Sequence, residues 1–479
     1  MNVSIIRYIL SWVLTIESAF MFLPCLISIL YREKSGFAFL AVAVVFLALG
    51  LVSIHFKPKS QQFFAKEGFV IVGLSWIVMS IVGCLPFVIS REIPNFIDAL
   101  FETVSGFTTT GASILSDVEA LSHTCLFWRS FTHWIGGMGV CVFLIAILPT
   151  VGGYNMNLMK AESPGPSVGK LVPKVKDTAK ILYFIYFIMT LVQFVLLMVA
   201  GMPWFDAICT AFGTAGTGGF GTKGDSLAGF NPAIMWITTI FMILFGMNFN
   251  LYFFILRKKF KPAILMEEIR WYVAIILLAI AVVTFNVLSY FDTVGEALTH
   301  SAFQVASLMT STGFATTDFN LWPDLSRTIL VMLMFIGACA GSTGGGLKVS
   351  RFILAIKAIR QEILHLIHPR SVKAVEMDGK AVDKETIKGV TVYISLFGIF
   401  YLISWLLISL NGFDFVTNFT AVVATLNNIG PGLNMVGPCG NFADFNILSK
   451  IVLMINMLAG RLELYPILLL FHPAVWKKN

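Results

Sequence analysis

Apolar stretches of about 20 residues, the length that crosses a ~30 Å hydrocarbon core, follow one another along nearly the whole chain, and short runs holding most of the charge divide them. The first two, roughly 5–30 and 36–56, form a helical hairpin with no polar interruption. After it one pattern returns four times: a long apolar helix, a turn carrying an acid, a half-length helix, a glycine cluster, and a second long helix running back to a basic loop. The first copy has helices over 67–90 and 127–149 around "FIDALFETVSGFTTTGAS"; the second has 180–201 and 232–256 around "WFDAICTAFGTAGTGGFGT". The third has 270–291 and 326–362 around "GEALTHSAFQVASLMTSTGFATTD", and the fourth 387–410 and 446–471 around "FDFVTNFTAVVATLNNIGPGLN". From acid to glycine the spacings are 13 (Asp98–Gly111), 13 (Asp206–Gly219), 17 (Glu296–Gly313) and 16 (Asp414–Gly430). Each spacing holds a short helix with an acid at its N-terminal end, where the helix dipole favours negative charge. Such a helix cannot cross a bilayer, so its chain dips in from the outer side and returns, which irregular backbone tolerates only where protein or water surrounds it.

Four such dips surround an axis. The expected architecture is therefore an all-α polytopic membrane protein: four pseudo-repeats of helix, pore loop and helix around a central pore, plus the N-terminal two-helix hairpin. The units run 1–60 (hairpin), 61–155, 156–262, 263–370 (with a broken second helix) and 371–479.

Composition narrows the class. Of 479 residues 57% are hydrophobic and 12% charged, too little charge to clothe a soluble domain of this length. The formal charge of +7 invites a nucleic-acid partner, but 24 of the 33 Lys and Arg lie in 57–66, 160–180, 257–270, 348–388 and 477–478. Positive charge in short loops marks the cytoplasmic side, which also puts the N-terminus there and leaves no basic face for nucleic acid. The first stretch lacks a small-residue cleavage site and reads as a retained helix. Seven cysteines show no metal-ligand or paired spacing. His55, His123, His133, His300, His365, His368 and His472 are dispersed, and no catalytic set emerges; an intramembrane enzyme would need a paired acid, a Ser/His pair or a metal-ligand set.

The clusters carry the chemistry. A dehydrated cation is held in a membrane only where oxygens replace its water shell, and inward-turned backbone carbonyls are the densest source. Glycine permits the turn because it accepts positive φ. Gly111, Gly219, Gly313 and Gly430 are the candidates, each preceded by a residue that extends the column: Thr110, Gly218, Thr312 and Ile429. The short helices aim their C-terminal ends at the axis, which favours a cation. With no acidic ring inside the clusters, a monovalent ion fits better than a divalent one; Asp225 and Asp318 follow their clusters at the mouth.

With its four pore-loop repeats, its leading hairpin, "GGMG" at 136–139 and "AGSTGGGLK" at 340–348, the chain resembles the TrkH and TrkG group of bacterial potassium uptake proteins, in the superfamily that includes KtrB and plant HKT proteins. The likeness covers essentially the whole chain. It implies that the eight residues named above form a K⁺ filter in the inner membrane, with K⁺ as the transported ion and no organic cofactor. Glycine in all four copies resembles the potassium-passing members. It further implies a homodimer served by a cytosolic ring of TrkA type whose domains bind NAD or ATP. The basic loops at 160–180 and 348–388 are the expected docking surfaces.

Two further features belong to the pathway. In "GACAGSTGGGLKVSR", six of nine residues from Gly337 to Gly345 are Gly or Ala, which disfavours continuous helix. This segment reads either as a close helix crossing or as a flexible gate of Gly341, Ser342, Thr343, Gly344, Gly345 and Gly346 beneath the filter; the resemblance implies the gate. A phosphate-binding P-loop is excluded because Leu347 separates Gly346 from Lys348. Arg461 lies within the last long helix, where an intramembrane guanidinium costs roughly 2.5–3.5 kcal/mol. It must face water or a partner. Glu463, two positions on, points to another side of a helix, so the expectation is an electrostatic barrier that the gate engages, against a longer-range salt bridge as the alternative. The functional expectation is K⁺ uptake through a gated, channel-like pore; K⁺ symport with H⁺ or Na⁺ by alternating access is the alternative.

Overall fold

The computed structural model describes residues 1–58, 64–139, 175–369 and 374–476. Helices dominate, and among the described residues six are long and apolar enough to cross a bilayer. The N-terminal hairpin pairs Val3–Phe20 and Phe22–Tyr31 with Gly36–His55. Met21 separates the first two, because Pro24 has no N–H to give the carbonyl one turn back. The hairpin packs on Ala65–Ile89, whose apolar window is 67% buried against 28% for Gly36–His55, so the former is a core element and the latter borders lipid.

Four long helices lead inward: Ala65–Ile89, Val175–Val199, Glu267–Val287 and Lys384–Ile408. Each is followed by a short pore helix: Phe96–Phe107, Trp204–Gly216, Val294–Met309 and Phe415–Leu426. Asp98, Asp206 and Glu296 sit in the first turns, and Asp414 is itself the N-cap, accepting from the Val416 and Thr417 amides at 3.0 Å each. The pore helices are buried nearly all round. Their threonines survive there because Thr103, Thr108, Thr214, Thr310 and Thr425 each donate to the carbonyl four residues back.

The return helices differ from expectation. Continuous helices over 232–256 and 446–471 are not what forms; the second copy breaks between Pro232–Phe245 and Asn250–Leu256 with a bend of 94°. The fourth breaks between Ile447–Arg461 and Tyr465–Phe471, and the third between Asp324–Ile336 and Val349–Ile367. In the first copy His123–Gly137 ends at the same level, and the rest of 127–149 beyond residue 139 lies outside the described residues. The breaks have physical causes. Gly246 lets the Tyr272 hydroxyl approach to 2.4 Å of where a Cβ would stand, and Glu463 and Leu464 take positive φ of 58° and 66°. Gly460 lies against the Leu426 carbonyl, 2.0 Å from its missing Cβ.

Among the described residues one element is a β-hairpin. Glu376–Met377 pairs antiparallel with Lys380–Ala381 around Asp378 and Gly379, whose φ values of 53° and 72° are those of a two-residue hairpin turn. The "DG" that favours this turn lies in the basic loop 348–388. The hairpin docks through Asp378 Oδ1, which accepts from the Glu267 amide at 2.6 Å, and Lys357 Nζ, 2.7 Å from the Glu376 carbonyl.

Candidate functional site

Where the four pore helices end, their chains close in the same way. Thr109, Thr217, Ser311 and Asn428 adopt left-handed φ of 55°, 55°, 58° and 53°, and two residues later Gly111, Gly219, Gly313 and Gly430 take 80°, 77°, 84° and 96°. In each copy the residue between them donates to the carbonyl five back, from Thr110 to Ser105, Gly218 to Gly213, Thr312 to Ser307 and Ile429 to Ala424, at 2.8–2.9 Å. This is a Schellman closure, which turns the chain sharply outward from the helix end.

The four turns form a closed ring. A Cβ on Gly111 would stand 2.0 Å from the Gly218 carbonyl oxygen, on Gly219 2.0 Å from that of Thr312, on Gly313 2.0 Å from that of Ile429, and on Gly430 2.8 Å from that of Thr110. All eight expected residues are thus brought together, each copy touching the next. The ring is built from backbone because no side chain fits at the glycines.

Its carbonyls are unusual. Buried backbone oxygens nearly always accept a hydrogen bond. Among the described residues, the carbonyls of Thr110, Gly111, Gly218, Gly219, Thr312, Gly313, Ile429 and Gly430 accept none. The Thr110 and Thr312 hydroxyls are engaged with Thr108 Oγ1 at 2.9 Å and Thr310 Oγ1 at 2.7 Å, so the backbone supplies the unclaimed oxygens. With the negative ends of four helix dipoles beneath them, such oxygens stabilise a cation.

Above the ring lies a vestibule of about 120 Å³, lined by the four glycines together with Lys223, Ser226, Cys439 and Asn441. Asp225 and Asp318 face its Cys439; burial and these two charges raise the thiol above its ordinary pKa. Nearby, burial opposes ionisation of Asp414, but hydrogen bonds from Thr417 and Asn434 and the amides outweigh it and lower the carboxyl.

Beneath the ring the glycine-rich loop packs against the ends of the third and fourth short helices. Gly344 and Gly345 would place a Cβ 2.8 Å from the Thr310 carbonyl and 2.3 Å from that of Asn427, and the Gly345 amide donates to Ser311 Oγ at 2.5 Å. The broken second return helix holds the loop from the side: Cys339 N reaches the Gly246 carbonyl and Phe249 N the Gly341 carbonyl, both at 3.0 Å. Ser342 Oγ turns back to the Cys339 carbonyl at 2.6 Å, and Gly346 packs on Gly337, whose Cα is 2.7 Å from the missing Cβ. Lys348 Nζ donates to the Gly344 carbonyl.

Arg461 is the last residue of its helix, not a mid-helix residue, and its guanidinium reaches across the break. Nη1 donates to the Thr343 carbonyl at 2.6 Å, and Nη2 to the Gly136 and Gly137 carbonyls at 2.5 and 2.6 Å. The structure therefore joins Arg461 to the loop and to the "GGMG" end of the first return helix. Glu463 pairs instead with Arg351 at 2.5 Å.

Several supporting residues escaped the sequence reading. Glu268, 4% exposed, accepts from the Ala340 amide at 2.6 Å and the Ser350 amide at 3.2 Å, anchoring both ends of the loop. His133, set aside as a dispersed histidine, stands behind the ring: Nδ1 donates to the Gly106 carbonyl at 2.7 Å while Nε2 accepts from Phe220 N at 3.3 Å, as the neutral ring can. Asn428 Nδ2 ties Thr110 Oγ1 to the Met457 carbonyl. Lys450 pairs with Asp98, the acid of the first copy, at 2.6 Å. The available signal was a charge or imidazole inside an apolar span, the same signal that singled out Arg461.

A ring of unclaimed carbonyls at the C-terminal ends of four short buried helices, set among membrane-length helices, defines a polytopic membrane protein of cation-transport type. The sequence profile of the family described as TrkH, cation transport protein, matches residues 35–478, and the chain belongs to that family. Over its full length it is 39% identical to the Trk system potassium uptake protein TrkH of Salmonella typhimurium, with 100% of both chains covered. It is 35% identical to the Trk system potassium uptake protein TrkG of Escherichia coli K12, over 99% of each. The crystal structure of the potassium transporter TrkH from Vibrio parahaemolyticus superposes with a TM-score of 0.88 at 35% identity, covering 99% of each chain.

Proposed function

We propose that this protein takes up K⁺ across a bacterial inner membrane by passing the dehydrated ion through the ring formed at Thr110–Gly111, Gly218–Gly219, Thr312–Gly313 and Ile429–Gly430. The observation that carries the reading is the set of eight ring carbonyls with no hydrogen-bond donor among the described residues. A cation supplies what those oxygens lack, and relatives named as potassium uptake proteins supply the identity of the ion. Below the ring, the loop from Gly341 to Gly346 is the gate and Arg461 its latch. The N-terminus lies in the cytoplasm, by the charge of the loops.

The relatives' name places them in a Trk system. For this chain, by resemblance, the working assembly is a homodimer with a TrkA-type nucleotide-binding subunit on the basic cytoplasmic face. The test is uptake of radiolabelled Rb⁺ and Na⁺ into liposomes holding the purified protein. Preference for Rb⁺, lost on Gly313→Ser, supports the reading; equal uptake of both ions, or a preference untouched by Gly313→Ser, refutes it.

A further inference from the structure

The outer ends of the first two ring segments are joined by an ion pair that plays no part in the transport reading above. Glu102, on the first pore helix nine residues before Gly111, and Arg129, on the first return helix, are 0% and 3% exposed and meet at 2.5 Å between Oε1 and Nε. The carboxylate also accepts from Ser113 Oγ at 3.0 Å and from the Ile114 amide at 3.0 Å, just beyond Gly111. On the other side Arg129 Nη1 donates to the Gly221 carbonyl at 2.9 Å, just beyond Gly219, and the guanidinium lies 3.5 Å over the Phe220 ring. One charge pair therefore fixes the backbone of two adjacent copies as it leaves the ring.

The other copies lack this charge. Nine residues before their glycines stand Thr210, Gln304 and Ala421. Gln304 Nε2 reaches the Thr317 carbonyl only at 3.5 Å. Buried ion pairs add little net stability, since desolvation offsets their attraction unless the remaining lone pairs and protons are also satisfied. Here the added partners flank the filter: the Ser113 hydroxyl and Ile114 amide for the carboxylate, and the Gly221 carbonyl for the guanidinium. What such a pair supplies is a fixed distance.

We propose that Glu102 and Arg129 are positioning residues for ion selectivity: they brace the Thr110–Gly111 and Gly218–Gly219 segments apart, so that the ring fits a large dehydrated alkali cation and does not contract onto a smaller one. The inference rests on the ring being the filter. Its test separates the two. Ser113→Ala removes one hydroxyl from Glu102 and leaves both charges in place. Arg129→Lys keeps the buried charge but lacks the second nitrogen that reaches Gly221. Both are assayed beside Gly313→Ser for the ratio of Na⁺ to Rb⁺ uptake and for the Rb⁺ concentration dependence in liposomes, with folding checked by gel filtration. The ratio is expected to rise about two- to tenfold in each, the range a weakened hydrogen bond carries. If Arg129→Lys does not fold, Ser113→Ala decides alone. A wild-type ratio in the folded pair variants, with a raised ratio in Gly313→Ser, overturns the inference and leaves the filter standing. A ratio unmoved in Gly313→Ser as well means the ring is not the filter, and both fall.

Discussion

Replacing Arg461 by alanine isolates the contact between the glycine-rich loop and the frame of the pore. The guanidinium spans two bodies: Gly136 and Gly137 belong to the end of a return helix, whereas Thr343 belongs to the loop. Only the bond to the Thr343 carbonyl, at 2.6 Å, must break for the loop to move away from Arg461. A hydrogen bond to a charged group contributes roughly 1.5–3 kcal/mol. Its removal shifts the balance between closed and open loop by about 10- to 150-fold, at 1.36 kcal/mol per decade. Under the proposed gating role, in which the closed loop predominates at rest, Rb⁺ flux into liposomes without any regulatory subunit is expected to rise by that factor until the open form dominates. Arg461→Lys, which has one nitrogen in place of the fork, gives a smaller rise. A folded Arg461→Ala protein with unchanged or reduced flux would refute the latch.

Four other perturbations follow from the geometry. Gly219→Ala places a Cβ 2.0 Å from the Thr312 carbonyl oxygen at φ 77°, so the ring must open there, and Rb⁺ uptake is expected to be abolished while the protein still purifies as a folded species. Cys439, the one exposed cysteine among the six described, lines the vestibule, so a cationic methanethiosulfonate reagent should block uptake faster than an anionic one, and Cys439→Ser should abolish the block; because burial, Asp225 and Asp318 raise the thiol's pKa, the reaction needs a higher pH than a free cysteine does. Glu268→Gln weakens the anchors at Ala340 and Ser350, which hydrogen exchange should report as loss of protection at those two amides. Asp414→Ala removes an N-cap and should lower stability by about 0.5–2 kcal/mol in a thermal shift assay; since the folded carboxyl pKa lies below the unfolded one, the wild-type advantage is complete above about pH 4 and fades as pH falls through the folded value.

How much of this could be read in the sequence follows from what each element depends on. Helices such as Ala65–Ile89 and Lys384–Ile408 match the expected 67–90 and 387–410 closely, because a bilayer imposes length and apolarity locally. The glycines at 111, 219, 313 and 430 were legible for a similar reason: positive φ beside a close carbonyl admits little else. The breaks at 246–249 and 462–464 were not. Their few polar residues, Asn248 and Glu463, do not by themselves end a helix, and the breaks are held by tertiary bonds, Cys339 to Gly246 and Arg461 to Thr343, whose partners are distant in sequence. Glu102 and Arg129 stood in plain view as charges in hydrophobic surroundings, but their pairing joins two elements that only the closed ring brings together. The two-residue "DG" hairpin at 376–381 was lost inside a loop read only for its charge.

The central claim is that backbone oxygens from four copies share one dehydrated cation, and anomalous diffraction from crystals grown in Rb⁺ or Tl⁺ tests it most directly. The account predicts a strong anomalous peak on the axis among the carbonyls of Thr110, Gly218, Thr312 and Ile429, weakened when Na⁺ replaces the heavy ion. A peak confined to the vestibule near Asp225 and Asp318, with the ring empty at saturating Rb⁺, would contradict it.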